Sequence, residues 1–182
     1  YCNSIKNLLG LEKLIFLESI SSLIDCFSLI SLNGIPNPKV FGAYIDFRNC
    51  SSLQDIRALK GLPNIKTLDL SGCNSIQNTE GLENIEIEEI SIEKPNIKQL
   101  NSFRNLNVKS LSLAELEMPS LKGLDVWESI TNLEIQQASY TEENTELIKS
   151  LSGIEAFINL EKLSMCSEFS SSNACDRLEN LM

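Results

Sequence analysis

Residues 53–73 read Leu53-Gln-Asp-Ile56-Arg-Ala-Leu59-Lys-Gly-Leu62-Pro-Asn-Ile65-Lys-Thr-Leu68-Asp-Leu70-Ser-Gly-Cys73. Leu68 and Leu70 alternate with Thr67, Asp69 and Ser71, the period of two expected of a strand with one apolar and one polar face. Ile76 follows Cys73 by three, so the full pattern is Ile65-x-x-Leu68-x-Leu70-x-x-Cys73-x-x-Ile76. One such segment predicts a short strand and a turn; its recurrence predicts a fold.

The recurrence shows first in the cysteines. Cys2, Cys26, Cys50 and Cys73 are separated by 24, 24 and 23 residues, and each is followed three positions later by Ile5, Leu29, Leu53 or Ile76. Cys2-Asn3-Ser4-Ile5-Lys6-Asn7 is answered by Cys73-Asn74-Ser75-Ile76-Gln77-Asn78, and Gly10-Leu11 by Gly81-Leu82. The strand pattern returns as Ile45-x-Phe47-x-x-Cys50, Ile90-x-Ile92-x-x-Pro95, Leu111-x-Leu113-x-x-Leu116, Leu133-x-Ile135-x-x-Ala138 and Leu160-x-x-Leu163-x-Met165. The last copy comes 30 residues after Leu133, so residues 139–158 carry an insertion, with a short helix expected over Thr145 to Leu151. Ahead of Cys26 the pattern is irregular, with Leu17, Ile20 and Leu23 spaced by three; a strand is still expected there.

Across nearly the whole chain these copies resemble the leucine-rich repeat, L-x-x-L-x-L-x-x-(N/C)-x-(L/I). The stretch from Leu53 to Cys73 resembles the short repeats of internalins and of phosphatase-regulating repeat proteins. The resemblance implies an α/β repeat solenoid: a curved, parallel concave sheet of about seven short strands, backed by an extended, 3-10 or short helical convex side. Residues 1–182 are expected to form a single such domain, cut from a longer chain, with an irregular end over 168–182. Pro95, Leu116 and Ala138 replace the Asn or Cys of the turn, so those repeats should be less regular.

Composition narrows the function. Asp and Glu total 25 against 15 Lys and Arg, a formal charge of -10, which disfavours nucleic acid and anionic membranes as partners. Histidine is absent, removing the commonest general base and metal ligand. The most apolar stretch, Ile5 to Leu32, is broken by Lys6, Glu12, Lys13, Glu18 and Asp25, so no membrane span is expected. No signal peptide is visible, and the cysteines, expected to be free and buried in the turns, suit a reducing cytosol; a secreted or cell-surface location is the alternative.

No catalytic, cofactor or metal site is expected. Cys175-Asp176-Arg177 lacks a histidine to activate its thiol, and Glu88-Glu89 and Glu142-Glu143 are expected to be solvated pairs. Asn49-Cys50-Ser51 is formally a glycosylation sequon, but it falls where the repeat needs a buried Cys. Trp127 is expected to pack on the convex side. Cys166, like Cys175, lies outside the ladder.

What remains is the outward face of the strands. Its central column reads Ser22, Asp46, Asp69, Ser91, Ser112, Glu134 and Ser164, flanked by Tyr44, Thr67, Glu89, Asn132 and Lys162 and by Arg48, Ser71, Glu93, Ala114 and Gln136. Seven strands at about 4.8 Å spacing span roughly 29 Å, enough for a protein partner and too open for a small ligand. The expected function is a non-catalytic, monomeric protein-interaction module using Tyr44, Asp46, Arg48, Thr67, Asp69, Glu89, Glu93 and Glu134. Tyr44, Asp46, Arg48 and Asp69 form its most varied neighbourhood, unless Arg48 is merely paired with Asp69. The alternative is a structural spacer or recognition domain of a larger protein, including a bacterial effector or surface protein.

Overall fold

A computed structural model describes residues 3–20, 22–35, 37–62, 64–116, 118–137, 150–167 and 176–179. Seven strands lie side by side in chain order: β1 (Tyr44–Asp46), β2 (Asn64–Asp69), β3 (Glu86–Glu93), β4 (Asn107–Ala114), β5 (Asn132–Gln137), β6 (Lys162–Ser167) and β7 (Asp176–Glu179). β1 to β6 are parallel, and β7 pairs antiparallel with β6. Parallel neighbours in chain order require every connection to return across the back of the sheet, which winds the chain into a coil.

The sheet differs from the expected one at both ends. Among the described residues from Leu17 to Leu23 there is no strand. Even so, the Leu23 and Asp25 N–H groups donate to the carbonyls of Asp46 and Arg48 at 3.4 and 2.9 Å, just as Phe47 and Asn49 donate to Asp69 and Ser71 at 3.0 and 2.8 Å. The first coil therefore follows the register of β1 with one long bond, because its spacing of three breaks the alternation that a strand needs. Six strands are parallel, and the seventh, β7, comes from the segment expected to be irregular.

Each strand bends where two outward residues separate two inward ones. Ile65 and Leu68 are both buried, with Lys66 and Thr67 between them, and both of these N–H groups donate to the Ala43 carbonyl at 2.8 and 3.2 Å. The pairing of β2 with β3 skips Lys66 and Glu88, which form an ion pair along one rim of the sheet. Behind the strands the apolar residues stack in rows: Ile45, Leu68, Ile90, Leu111, Leu133 and Leu163, then Phe47, Leu70, Ile92, Leu113 and Ile135, all buried. The core is thus a column, each row shared by adjacent coils, and stability accrues by neighbour contacts.

The convex side is mixed. Among the described residues it holds 3-10 turns at Leu11–Lys13, Pro38–Phe41, Arg57–Leu59 and Ile154–Ala156, a parallel bridge between Ser31 and Asp55, and one α-helix, α1 (Ile97–Phe103). A short convex helix is one of the expected forms, though its position was not; Asn96 caps it by accepting from the Gln99 N–H at 2.8 Å. The helix expected over Thr145 to Leu151 lies, apart from Ser150 and Leu151, outside the described residues, and those two are not helical. Trp127 is fully buried on this side, its ring 6.0 Å from that of Phe157.

The turn after each strand is built from two features. Residues Asp25, Asn49, Gly72, Lys94 and Glu115, one per coil, have φ of 57, 61, 73, 49 and 48°, the left-handed region that reverses the chain out of the strand. Gly72 is required twice over, since a Cβ there would sit 2.6 Å from the Asn49 amide oxygen. The next residue in the first three coils is a buried cysteine. The Cys50 and Cys73 thiols donate to the Leu23 and Phe47 carbonyls of the preceding coil at 2.8 and 2.9 Å, stitching the stack together. Cys26, Cys50 and Cys73 carry no disulfide; Cys2 and Cys175 lie outside the described residues. Where Pro95 and Leu116 replace the cysteine the strands are not less regular: β3 and β4, at eight residues each, are the longest.

Candidate functional site

Strand pairing sets the outward residues in rows across the sheet. One row is Tyr44, Thr67, Glu89, Ser110, Asn132 and Lys162; the next is Asp46, Asp69, Ser91, Ser112, Glu134 and Ser164. Glu93, Ala114 and Gln136 begin a third at β3, and Arg48 occupies the matching position after β1. All eight residues selected from the sequence thus lie on this face, although Glu134 is three strands from Asp69.

Asp46, Arg48 and Asp69 meet directly. The Arg48 guanidinium donates to Asp46 through Nε at 3.0 and 3.1 Å and through a terminal nitrogen at 2.8 Å, while Asp69 lies at 3.6 Å. The principal partner of Arg48 is therefore Asp46, two residues away on the same side of the strand, rather than Asp69. Burial pushes the Asp46 carboxyl up, but hydrogen bonds and charge from Arg48 outweigh it and hold the carboxyl below its usual value. Asp46 and Asp69 also have backbone duties: each accepts the N–H two residues on, of Arg48 at 3.1 Å and of Ser71 at 2.9 Å. These side chains build the strand end as well as the face. Tyr44, by contrast, is 72% exposed at the start of β1.

A second carboxylate group was partly missed. Glu93 is pushed above its usual value by burial and by the nearby charge of Glu115, which also shares a hydrogen bond with it; Lys94 only partly offsets this. Glu115 is itself 3.0 Å from Lys94. The strand pattern alone does not mark Glu115, because it is the left-handed turn residue of its coil, and the backbone reversal brings it beside Glu93.

Further along the face, Ser110, Asn132, Glu134, Lys162 and Ser164 line a shallow recess of about 220 Å³ floored by Leu133 and Leu163. Gln136 donates to Glu134 at 2.9 Å. Among the described residues no group of three or more His, Cys, Asp or Glu is placed to hold a metal, and no helix is long and apolar enough to cross a membrane. Glu88 is committed to Lys66, while Glu142 and Glu143 lie outside the described residues. The Cys73 thiol is raised by its hydrogen bond with Cys50 and by burial, which disfavours the thiolate a nucleophile needs. The Asn49 amide of the sequon donates to Asp25 at 2.8 Å, and Cys50 beside it has no exposed surface.

These coils, with their parallel inner sheet and shared aliphatic rows, define a leucine-rich repeat solenoid. The family model for leucine-rich repeats matches residues 44–84 in two copies, which supports a leucine-rich repeat protein. No curated protein and no solved structure matches it. Leucine-rich repeat domains generally mediate protein–protein interaction, and their repeats are typically non-catalytic.

Proposed function

We propose that this chain is a non-catalytic module that holds a protein partner on its concave face. The observation that carries this reading is the outward surface of β1 to β6, whose rows combine an exposed tyrosine, an arginine, several carboxylates and a polar recess, with no described element packed over Tyr44. Tyrosine and arginine are the side chains on which binding energy concentrates. An open surface about 24 Å across, by strand spacing, suits a protein rather than a small molecule.

The test must avoid Asp46 and Asp69, since charge reversal there also removes the acceptors of the Arg48 and Ser71 N–H groups. A Tyr44→Ala/Glu89→Lys double variant alters the face without touching those turns. Captured from a lysate of the source cell and compared with wild type and with a convex Lys60→Glu variant, a partner should be lost only from the concave variant. Equal retention by all three proteins, each with a native circular dichroism spectrum, would overturn the concave-face assignment.

A further inference from the structure

The concave face is not uniform, and its deepest line follows a single strand. Along β4 the outward residues are Ser110, Ser112 and Ala114, none with more than one heavy atom beyond Cβ. The strands on either side carry longer side chains, Glu89 and Glu93 on β3 with the short Ser91 between them opposite Ser112, and Asn132, Glu134 and Gln136 on β5. Two strand spacings separate those walls, about 10 Å, which is the width an extended polypeptide needs to lie lengthwise between them. The result is a furrow parallel to β4, opening at its Ser110 end into the recess beside Asn132 and Lys162.

The floor of this furrow holds a hydroxyl that no described residue of the chain engages. Ser112 has only 9% of its surface exposed, and its hydroxyl has no hydrogen-bond partner among the described residues. The oxygen still meets solvent, since the fully buried side-chain atoms without a partner among the described residues are Gln99 Oε1 and Trp127 Nε1, so the hydroxyl is open to a ligand group that reaches the floor. A backbone amide or carbonyl of a chain lying along β4 can do so, because nothing larger than serine or alanine keeps it from the floor.

The walls specify charge. Neither Glu89 nor Glu93 forms a salt bridge with a described residue, whereas the nearby cations are engaged: Arg48 with Asp46 and Asp69, Lys94 with Glu115, Lys66 with Glu88, Lys109 with Glu86. At the far end Glu93 and Glu115 stand together, within range of the Asp69 charge. Burial and this crowding disfavour ionisation of Glu93, a penalty that a cation placed between the two carboxylates would relieve.

We propose that an extended, basic segment of a partner protein lies along β4 in this furrow, its backbone bonded to Ser112 and an arginine or lysine seated between Glu93 and Glu115. The proposal rests on the protein-binding reading above and specifies its partner's chemistry. About four residues would be held, the length of the small-residue floor.

A random library of 12-residue peptides, selected on the immobilised full chain and followed by titration of the winning synthetic peptide, tests it. The selected sequences should be enriched in Arg or Lys, and their affinity should fall with added salt. Glu93→Gln should weaken the winning peptide about tenfold, as loss of a charge-assisted bond does. Ser112→Ala, which adds no bulk, should weaken it by about threefold. Ser112→Leu, checked for native circular dichroism, should abolish binding by filling the floor, while Lys60→Glu should leave it unchanged. Acidic or apolar winners that are still lost in Ser112→Leu would overturn the basic segment and leave the concave-face reading standing. Winners indifferent to both Ser112 variants but sensitive to Tyr44→Ala would remove the furrow alone. Winners indifferent to every concave change, or no winners at all, would overturn both.

Discussion

The coils built around Cys26, Cys50 and Cys73 and the coils built around Pro95 and Leu116 reach the same architecture by different means. In the first group the sequence repeats closely, each turn carries a thiol bonded to the coil before it, and the convex side is extended or 3-10. In the second the thiol is gone, yet the strands are the longest in the sheet and the convex side gains its one described α-helix. The comparison teaches that the thiol is not what makes the turn. A left-handed residue after the strand and a buried side chain sealing the core are present in both groups, and Leu116 is as buried as Cys73.

Substitutions can break or sharpen that comparison. The largest effect is expected from Leu111→Ala or Leu68→Ala, each losing roughly 2 to 5 kcal/mol in chemical unfolding, because the removed side chain serves two coil interfaces. Near-equal losses would show that both groups rely on the same rows; a far smaller loss at Leu111 would mean that strand pairing carries the second group. Next comes Cys73→Ala, which deletes a buried thiol and its bond to the Phe47 carbonyl and should lower stability by about 1 to 2 kcal/mol. Leu116→Ala should be worse than Cys73→Ala, since a larger apolar group is lost; the reverse order would restore the thiol to a leading role. Gly72→Ala, strained at a φ of 73° and crowded by Asn49, should cost about 1 kcal/mol or more, seen as a lower Tm.

The smallest effect tests the face rather than the core. The Glu93 carboxyl is raised in the folded chain, first by burial and then by Glu115, above its ordinary 4.5. Its protonated form is thus favoured by folding, so the associated stability is fully present below that ordinary value and is lost as pH rises through the raised one. Glu93→Gln should therefore match wild type in acid and be more stable near pH 7, by a few tenths of a kcal/mol after solvent screening. A variant less stable than wild type at pH 7 would refute the crowding of Glu93 and Glu115.

Much of the fold was legible because the repeat signature recurs with a period short enough to count. Leu68, Leu111 and Leu133 could be placed on the core rows, and Asp46, Asp69 and Glu134 on the outward face, from alternation alone. The failures have local causes. Leu17, Ile20 and Leu23 stand where the repeat ahead of Cys26 calls for a strand, but their spacing of three cannot keep one face inward. α1 was not placed from the sequence because Pro95 was read only as a departure from the turn; the asparagine after it, which caps the helix, went unread. Asp46 and Asp69 were read as surface charges for a partner, and their use as acceptors for backbone N–H groups became visible only with the turns in place.

By itself the sequence determined the period, the identity of the inward and outward residues and hence the family, since each follows from spacing within one or two repeats. The tertiary structure alone decided that Arg48 is held mainly by Asp46, that Glu115 joins Glu93, that Ser112 lies confined without a partner, and that the last strand turns antiparallel. Those outcomes depend on how neighbouring coils stack and where a backbone reversal points a side chain, distances that no one-dimensional pattern contains.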